Sequence, residues 1–83
     1  MKCAVFQRLP SRRQRQLVLD KGVPLGKRES RNFCIFLFAI DSFYVEVYFF
    51  KESGDYCTLK PFEEVAKLEP YLEQINVDDL LVA

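Results

Sequence analysis

The sequence predicts an α+β fold: an N-terminal helix, a three- to four-stranded antiparallel β-meander and a kinked C-terminal helix. Three observations carry that prediction. Residues 32–40 and 43–51 are runs dense in Phe, Tyr, Val and Ile, separated by Asp41-Ser42, which is a hairpin pattern. Ser11 with Gln14 three residues on reads as a capping box, and Gly22 closes the helix it opens. Val65, Leu68, Leu72 and Ile75 recur at helical spacing.

Length sets the frame for these elements. A chain of 83 residues has room for one domain, spanning 1–83. At that size folding hides only about 60–65% of the unfolded surface, so the core is marginal. Eight Phe and four Tyr give the chain more apolar surface than a thin two-layer domain hides with ease. Such a composition belongs to a folded chain.

Taken in order, residues 2–6 are expected to form a short strand or an extended arm. The first helix is expected over Arg12–Lys21, with Leu17 and Val18 as a narrow apolar stripe beside a basic first turn. Pro24 and Gly26 confine residues 23–28 to a weak edge strand or a loop. The hairpin follows, then a turn over Lys51–Asp55 and a third strong strand over Tyr56–Lys60. The segment Phe62–Ile75 reads as a helix kinked at Pro70, which lacks an amide donor and clashes with the preceding turn. Leu80, Leu81 and Val82 are expected to tuck against the sheet.

Face assignment raises the functional question. Phe43, Val45, Val47 and Phe49 point one way from their strand, while Tyr44, Glu46, Tyr48 and Phe50 point the other. In the strand before it both alternating sets are apolar. A sheet with one wet face alternates apolar with polar residues, and this one does not. Two helices on one face would leave the second open. Either both faces are covered, or one is a contact surface.

Several chemistries are disfavoured. With no histidine, no side chain titrates near neutrality at its ordinary pKa. Cys3, Cys34 and Cys57 form no Cys-x-x-Cys and read as reduced, buried apolar residues, which suits the cytoplasm. Residues 33–50 are apolar, but Asp41 and Glu46 within them argue against a membrane span. Glu63-Glu64 and Asp78-Asp79 read as solubilising pairs. No catalytic, cofactor-binding or metal-binding residue is expected, and the chain reads as a non-enzyme.

The zero net charge hides a split. Residues 1–31 hold nine basic and two acidic residues, and residues 32–83 three basic and ten acidic ones. Arg12, Arg13 and Arg15 form a candidate phosphate-contacting cluster. The plainer expectation sets the basic helix beside the acidic C-terminal helix, so that the charges balance within the fold or across a dimer.

The order helix–β–β–β–helix resembles that of the double-stranded-RNA-binding domain. Where that family has a basic helix start, however, this chain reads Pro61-Phe62-Glu63-Glu64. Met1 to Phe6 followed by a basic helix is similar to the start of small ribosome-dependent ribonuclease toxins, without their basic C-terminal site. The helix ending at Gly22, the stretch Phe43-Tyr44-Val45-Glu46-Val47-Tyr48 and the ending Leu68-Glu69-Pro70-Tyr71-Leu72-Glu73-Gln74-Ile75 resemble short uncharacterised bacterial proteins. That resemblance covers most of residues 9–75 and implies a small bacterial cytosolic protein, with no activity attached.

The expected interaction face comprises Phe36, Phe38, Tyr44, Glu46, Tyr48 and Phe50. Within it Glu46 either receives a partner's basic group or pairs with Lys60 or Arg31. The expected function is a small non-catalytic interaction or regulatory module that self-associates as a homodimer. A foreign protein ranks next as partner, then a nucleic acid contacting the basic helix.

Overall fold

Chain order and sheet order coincide in this protein. A computed structural model, which describes residues 1–74, shows α1 (Cys3–Gln7), α2 (Ser11–Lys21), β1 (Val23–Glu29), β2 (Phe33–Ile40), β3 (Phe43–Phe50), β4 (Tyr56–Phe62) and a short 3-10 helix (Val65–Tyr71). The strands form one antiparallel sheet in the order β1-β2-β3-β4. Among the described residues no helix is long and apolar enough to cross a membrane.

The first segment is a helix, where a strand or arm was expected. Its buried residues are Cys3 and Phe6, three apart, while Ala4 and Val5 are exposed. That is a helical spacing, compressed into too few residues to stand out. Phe6 is fully buried, with its ring 5.2 Å from that of Phe43.

The second helix falls where expected, but its ends work differently. Ser11 makes no capping bond. Instead Pro10 precedes the helix in an extended conformation and its carbonyl accepts the Gln14 amide at 3.0 Å. The Gln14 side chain donates to the Phe6 carbonyl at 2.8 Å, tying α1 to α2. Gly22 is not left-handed; at φ −68° and ψ 132° it passes straight into β1. It is glycine for clearance, since a Cβ there would lie 2.4 Å from the Val18 carbonyl oxygen and 3.3 Å from the Phe38 ring.

The hairpin has the expected two-residue turn, with Ile40 opposite Phe43 and Asp41 in the left-handed region at φ 50°. β1 is a full edge strand. A bulge between Pro24 and Gly26 absorbs one residue, Leu25, which packs into the core.

Both faces of the sheet are partly covered. On one, Cys3, Phe6, Leu17 and Val18 of the helices meet Ile40, Phe43, Val45 and Val47. On the other, Leu68 and Tyr71 of the 3-10 helix meet Leu37 and Phe62, with Leu25 and Tyr44 alongside. The second face is therefore not left open by helices stacked on one side.

The kinked C-terminal helix is replaced over Val65–Tyr71 by the 3-10 helix, with Pro70 inside it. Phe62 ends β4 opposite Tyr44 rather than starting a helix. Pro70 cannot donate to the carbonyl four residues back. With three residues per turn, Leu68 and Tyr71 fall on one line, and both are fully buried. Val65 and Leu72, expected on the apolar face, are exposed. Ile75, Leu80, Leu81 and Val82 lie outside the described residues.

Candidate functional site

Glu46 sits at the centre of a polar cluster on the face that the 3-10 helix covers. It comes from the middle of β3, where Leu37 and Lys60 flank it in register. Its Oε2 accepts bonds from the Tyr71 hydroxyl at 2.6 Å, from Arg28 Nη2 at 3.1 Å and from Arg28 Nε at 3.2 Å. The Arg28 Nη2 also donates to the Tyr48 hydroxyl at 3.3 Å, and its Nε to the Tyr71 hydroxyl at 3.1 Å.

The expected pairing of Glu46 with Lys60 or Arg31 is not what forms. Arg28 of the edge strand reaches across β2 to it, and Lys60 places its ammonium 4.9 Å above the Tyr48 ring. Lys60 is next to Glu46 in the ladder but exposed, so its long stem carries the charge outward. Arg28 brings a fork of donors that matches a carboxylate, and one ion serves three partners.

The cluster's electrostatics follow from its setting. Burial, then the bond to the Glu46 carboxylate, push the Tyr71 hydroxyl well above the usual tyrosine pKa. Tyr48 is raised as well, by burial first and then by the nearby carboxylate. For Arg28, burial works against the charge, but the Tyr71 bond and the field of Glu46 outweigh it and hold the guanidinium protonated. Among the described residues no buried side-chain polar atom lacks a partner. Glu46 thus meets a basic group supplied by its own chain.

The six residues expected on one interaction face do not share one. Phe36 lies opposite Val47, and Phe38 opposite Val45, on the α1–α2 side; Tyr44, Glu46, Tyr48 and Phe50 lie on the other. Tyr44 is also half-buried, with its ring 5.6 Å from Phe62. Exposure varies along the hairpin on both faces. At the tight-turn end Ile40 and Phe43 are buried, whereas further along Phe36 is 36% and Phe50 43% exposed.

That open end is aromatic on both sides. Phe33 stacks with Tyr48 and Phe50 on one, at centroid distances of 5.7 and 5.4 Å. On the other, Phe36 meets Phe49 at 5.6 Å, and Phe49 meets Tyr56 at 6.2 Å. Its rings are covered unevenly: Phe49 and Tyr56 pack against the α1–α2 core, whereas Phe36 and Phe50 stay exposed.

The basic helix is divided. Arg12 and Arg13 are exposed in its first turn, where no acidic residue balances them. Arg15 instead sets its guanidinium 4.7 Å over the Tyr56 ring, at the rim of an apolar recess lined by Val18, Leu19, Phe38, Val47 and Leu59. Leu17 and Val18 of the basic helix pack on one face and Leu68 and Tyr71 of the 3-10 helix on the other, so among the described residues these two elements do not lie side by side; Asp78 and Asp79 lie outside the described residues. Part of the charge split closes elsewhere, through Arg28 to Glu46 and the N-terminal amine to Asp41 at 2.8 Å.

The thiols are unbridged: Cys3 is buried, and Cys34 and Cys57 are half-buried. Burial, followed by the fields of Glu63 and Glu64, raises the Cys3 pKa and lowers its reactivity. Among the described residues no group of three or more His, Cys, Asp or Glu is placed to hold a metal ion.

Arg28 and Tyr71 are the site residues that sequence reasoning did not single out. The only advance signal was Glu46 itself, a carboxylate inside an apolar run, which demands a buried partner. Comparison of the chain with models of protein families, with curated proteins and with solved structures finds no match.

Proposed function

We propose that this chain is a small, non-catalytic interaction module that self-associates as a homodimer through the open aromatic end of its sheet. The observation that carries this reading is the pair of exposed rings, Phe36 and Phe50, on opposite faces of one hairpin end. Each is backed by half-buried, stacked aromatics that hold it in place. Exposed aromatic patches with such rigid support suit protein contacts. The polar groups best suited to chemistry, Glu46, Tyr71 and Arg28, are spent on one another. Three unbridged thiols favour a reducing compartment, and with the resemblance noted above a bacterial cytoplasm.

Light scattering on a sizing column tests this. The wild type is expected at twice the chain mass at both low and high salt, and Phe36→Thr with Phe50→Thr at the chain mass. A monomeric wild type, or a double variant unchanged in mass, overturns the reading.

One observation favours a second reading, in which Arg12 and Arg13 contact nucleic acid phosphates. They are exposed at the positive end of a helix dipole, with no acidic neighbour in that turn. Binding to oligonucleotides that weakens steeply with salt is then expected, and no binding at low salt removes it.

A further inference from the structure

The outer edge of β1 is occupied by a side chain. Gln74 Oε1 accepts the Lys27 backbone amide at 2.8 Å, and Gln74 Nε2 donates to the Lys27 carbonyl at 2.6 Å. Among the described residues β1 pairs only with β2, so these Lys27 groups are the ones facing away from the sheet. The carboxamide offers one acceptor and one donor side by side, as a residue of a neighbouring strand would. Gly26 makes room for it, since a Cβ there would lie 2.8 Å from Gln74 Oε1. Gln74 is carried to this point by the 3-10 helix, whose Leu68 and Tyr71 are fully buried, and its own amide bonds the Tyr71 carbonyl at 2.8 Å.

We propose that the outer edge of β1 is a strand-pairing surface for a second copy of this chain, which the Gln74 carboxamide holds shut in the single molecule. Unpaired edges are templates for further strands, and proteins block them by specific devices. The occupant follows from the residues along the edge. Alternation gives Lys27 and Glu29 outward-facing backbone groups, while Arg28 faces β2. A two-fold axis through Arg28 then sets Lys27 against Glu29 of the second copy, and Glu29 against Lys27. Both are hydrogen-bonding pairs with opposite charges on the same face. The other residues do not obstruct this register. Arg28 is held inward by Glu46, and Glu29 has only an exposed pairing with Lys51 at 3.2 Å, worth little and easily exchanged. The opposite edge, β4, carries Pro61 within it and is the poorer acceptor. This surface is separate from the aromatic end, so it stands or falls independently of that contact.

The test compares the Gln74→Ala variant with the wild type by light scattering across a concentration series, alongside hydrogen exchange at the Lys27 amide. Gln74 is exposed, so the fold is expected to survive its loss. The variant is expected to reach at least twice the wild-type mass as concentration rises. When dilute it should exchange the Lys27 amide roughly five- to tenfold faster, the equivalent of one hydrogen bond, and regain protection on association. Gly26→Ala, which leaves Gln74 in place but crowds it out, should do the same. Adding Lys27→Glu to Gln74→Ala should abolish the association, and adding Glu29→Lys as well should restore it. An unchanged mass for both Gln74→Ala and Gly26→Ala overturns the proposal, as does association indifferent to the charge at Lys27. The mass of the wild type reports on the aromatic contact, whereas the ratio of variant to wild type reports on this edge.

Discussion

The two faces of the sheet are closed in opposite ways. On the α1–α2 side, apolar side chains from two helices meet apolar side chains from the strands, and the Phe6–Phe43 ring contact lies at the centre. On the other side a seven-residue 3-10 helix brings one leucine and one tyrosine, and the tyrosine hydroxyl donates to a carboxylate held by an arginine. A helix that buries two side chains cannot offer much apolar area. It gains specificity instead, because the Tyr71 hydroxyl has one position in which its bond to Glu46 forms. The first face is secured by area, the second by geometry.

The largest expected effect sits on the first face. Phe6→Ala should cost about 3–5 kcal/mol, a large fraction of the stability of so small a domain, as read from urea unfolding. A loss below about 1 kcal/mol would show that α1 is not a structural part of that core. Gly22→Ala comes next, at about 1–3 kcal/mol, because the added methyl would meet the Val18 carbonyl and the Phe38 ring.

On the second face, Tyr71→Phe keeps the ring and removes only the hydroxyl. The expected cost is about 1–3 kcal/mol, since a charged acceptor loses its shortest bond. Both faces hold a group with a raised pKa, the Cys3 thiol on the first and two tyrosine hydroxyls on the second. Tyr71 and Tyr48 have folded pKa values above the usual tyrosine value, so the native state keeps protons that the unfolded chain releases. Their contribution is complete below about pH 10 and is lost as pH rises through the folded values. Stability should fall on that alkaline limb, and less steeply in Tyr71→Phe; equal slopes would remove Tyr71 from the account.

The smallest effects distinguish two polar residues in the first turn of α2. Ser11→Ala should change stability by less than about 0.5 kcal/mol, because its hydroxyl caps nothing. Gln14→Ala should cost about 0.5–1.5 kcal/mol for its bond to the Phe6 carbonyl. The reverse ranking would restore the capping box that Ser-x-x-Gln spacing suggests.

The hairpin, its turn and α2 were legible because each announces itself within a few residues: alternation for β2 and β3, Asp41-Ser42 between them, and apolar Leu17 and Val18 before a glycine. α1 was not, because a five-residue helix is stabilised by what Phe6 touches and not by its own pattern. The C-terminal segment misled for a related reason. Its apolar residues have helical spacing, but of Val65, Leu68, Tyr71 and Leu72 it is Leu68 and Tyr71 that are drawn into the core, and a spacing of three residues per turn suffices for them. Glu46 was visible as a problem, and its solution was not, since Arg28 and Tyr71 lie 18 and 25 residues away in opposite directions. The proposed face failed as a unit because alternation was applied to each strand alone; register places Phe36 opposite Val47 and so on the far side from Tyr48.

The bond between Lys27 and Gln74 spans 47 positions of sequence, while among the described residues each strand pairs only with its neighbour in the chain. As the polypeptide emerges from a ribosome, all four strands are available once Phe62 is out, and Gln74 comes about twelve residues later. At ordinary rates of synthesis that interval lasts roughly 0.6–2.4 s, long compared with the microseconds in which a hairpin closes. If the edge pairs as proposed, nascent chains on adjacent ribosomes meet with it uncovered, and the order of translation opens a window in which two copies can join there.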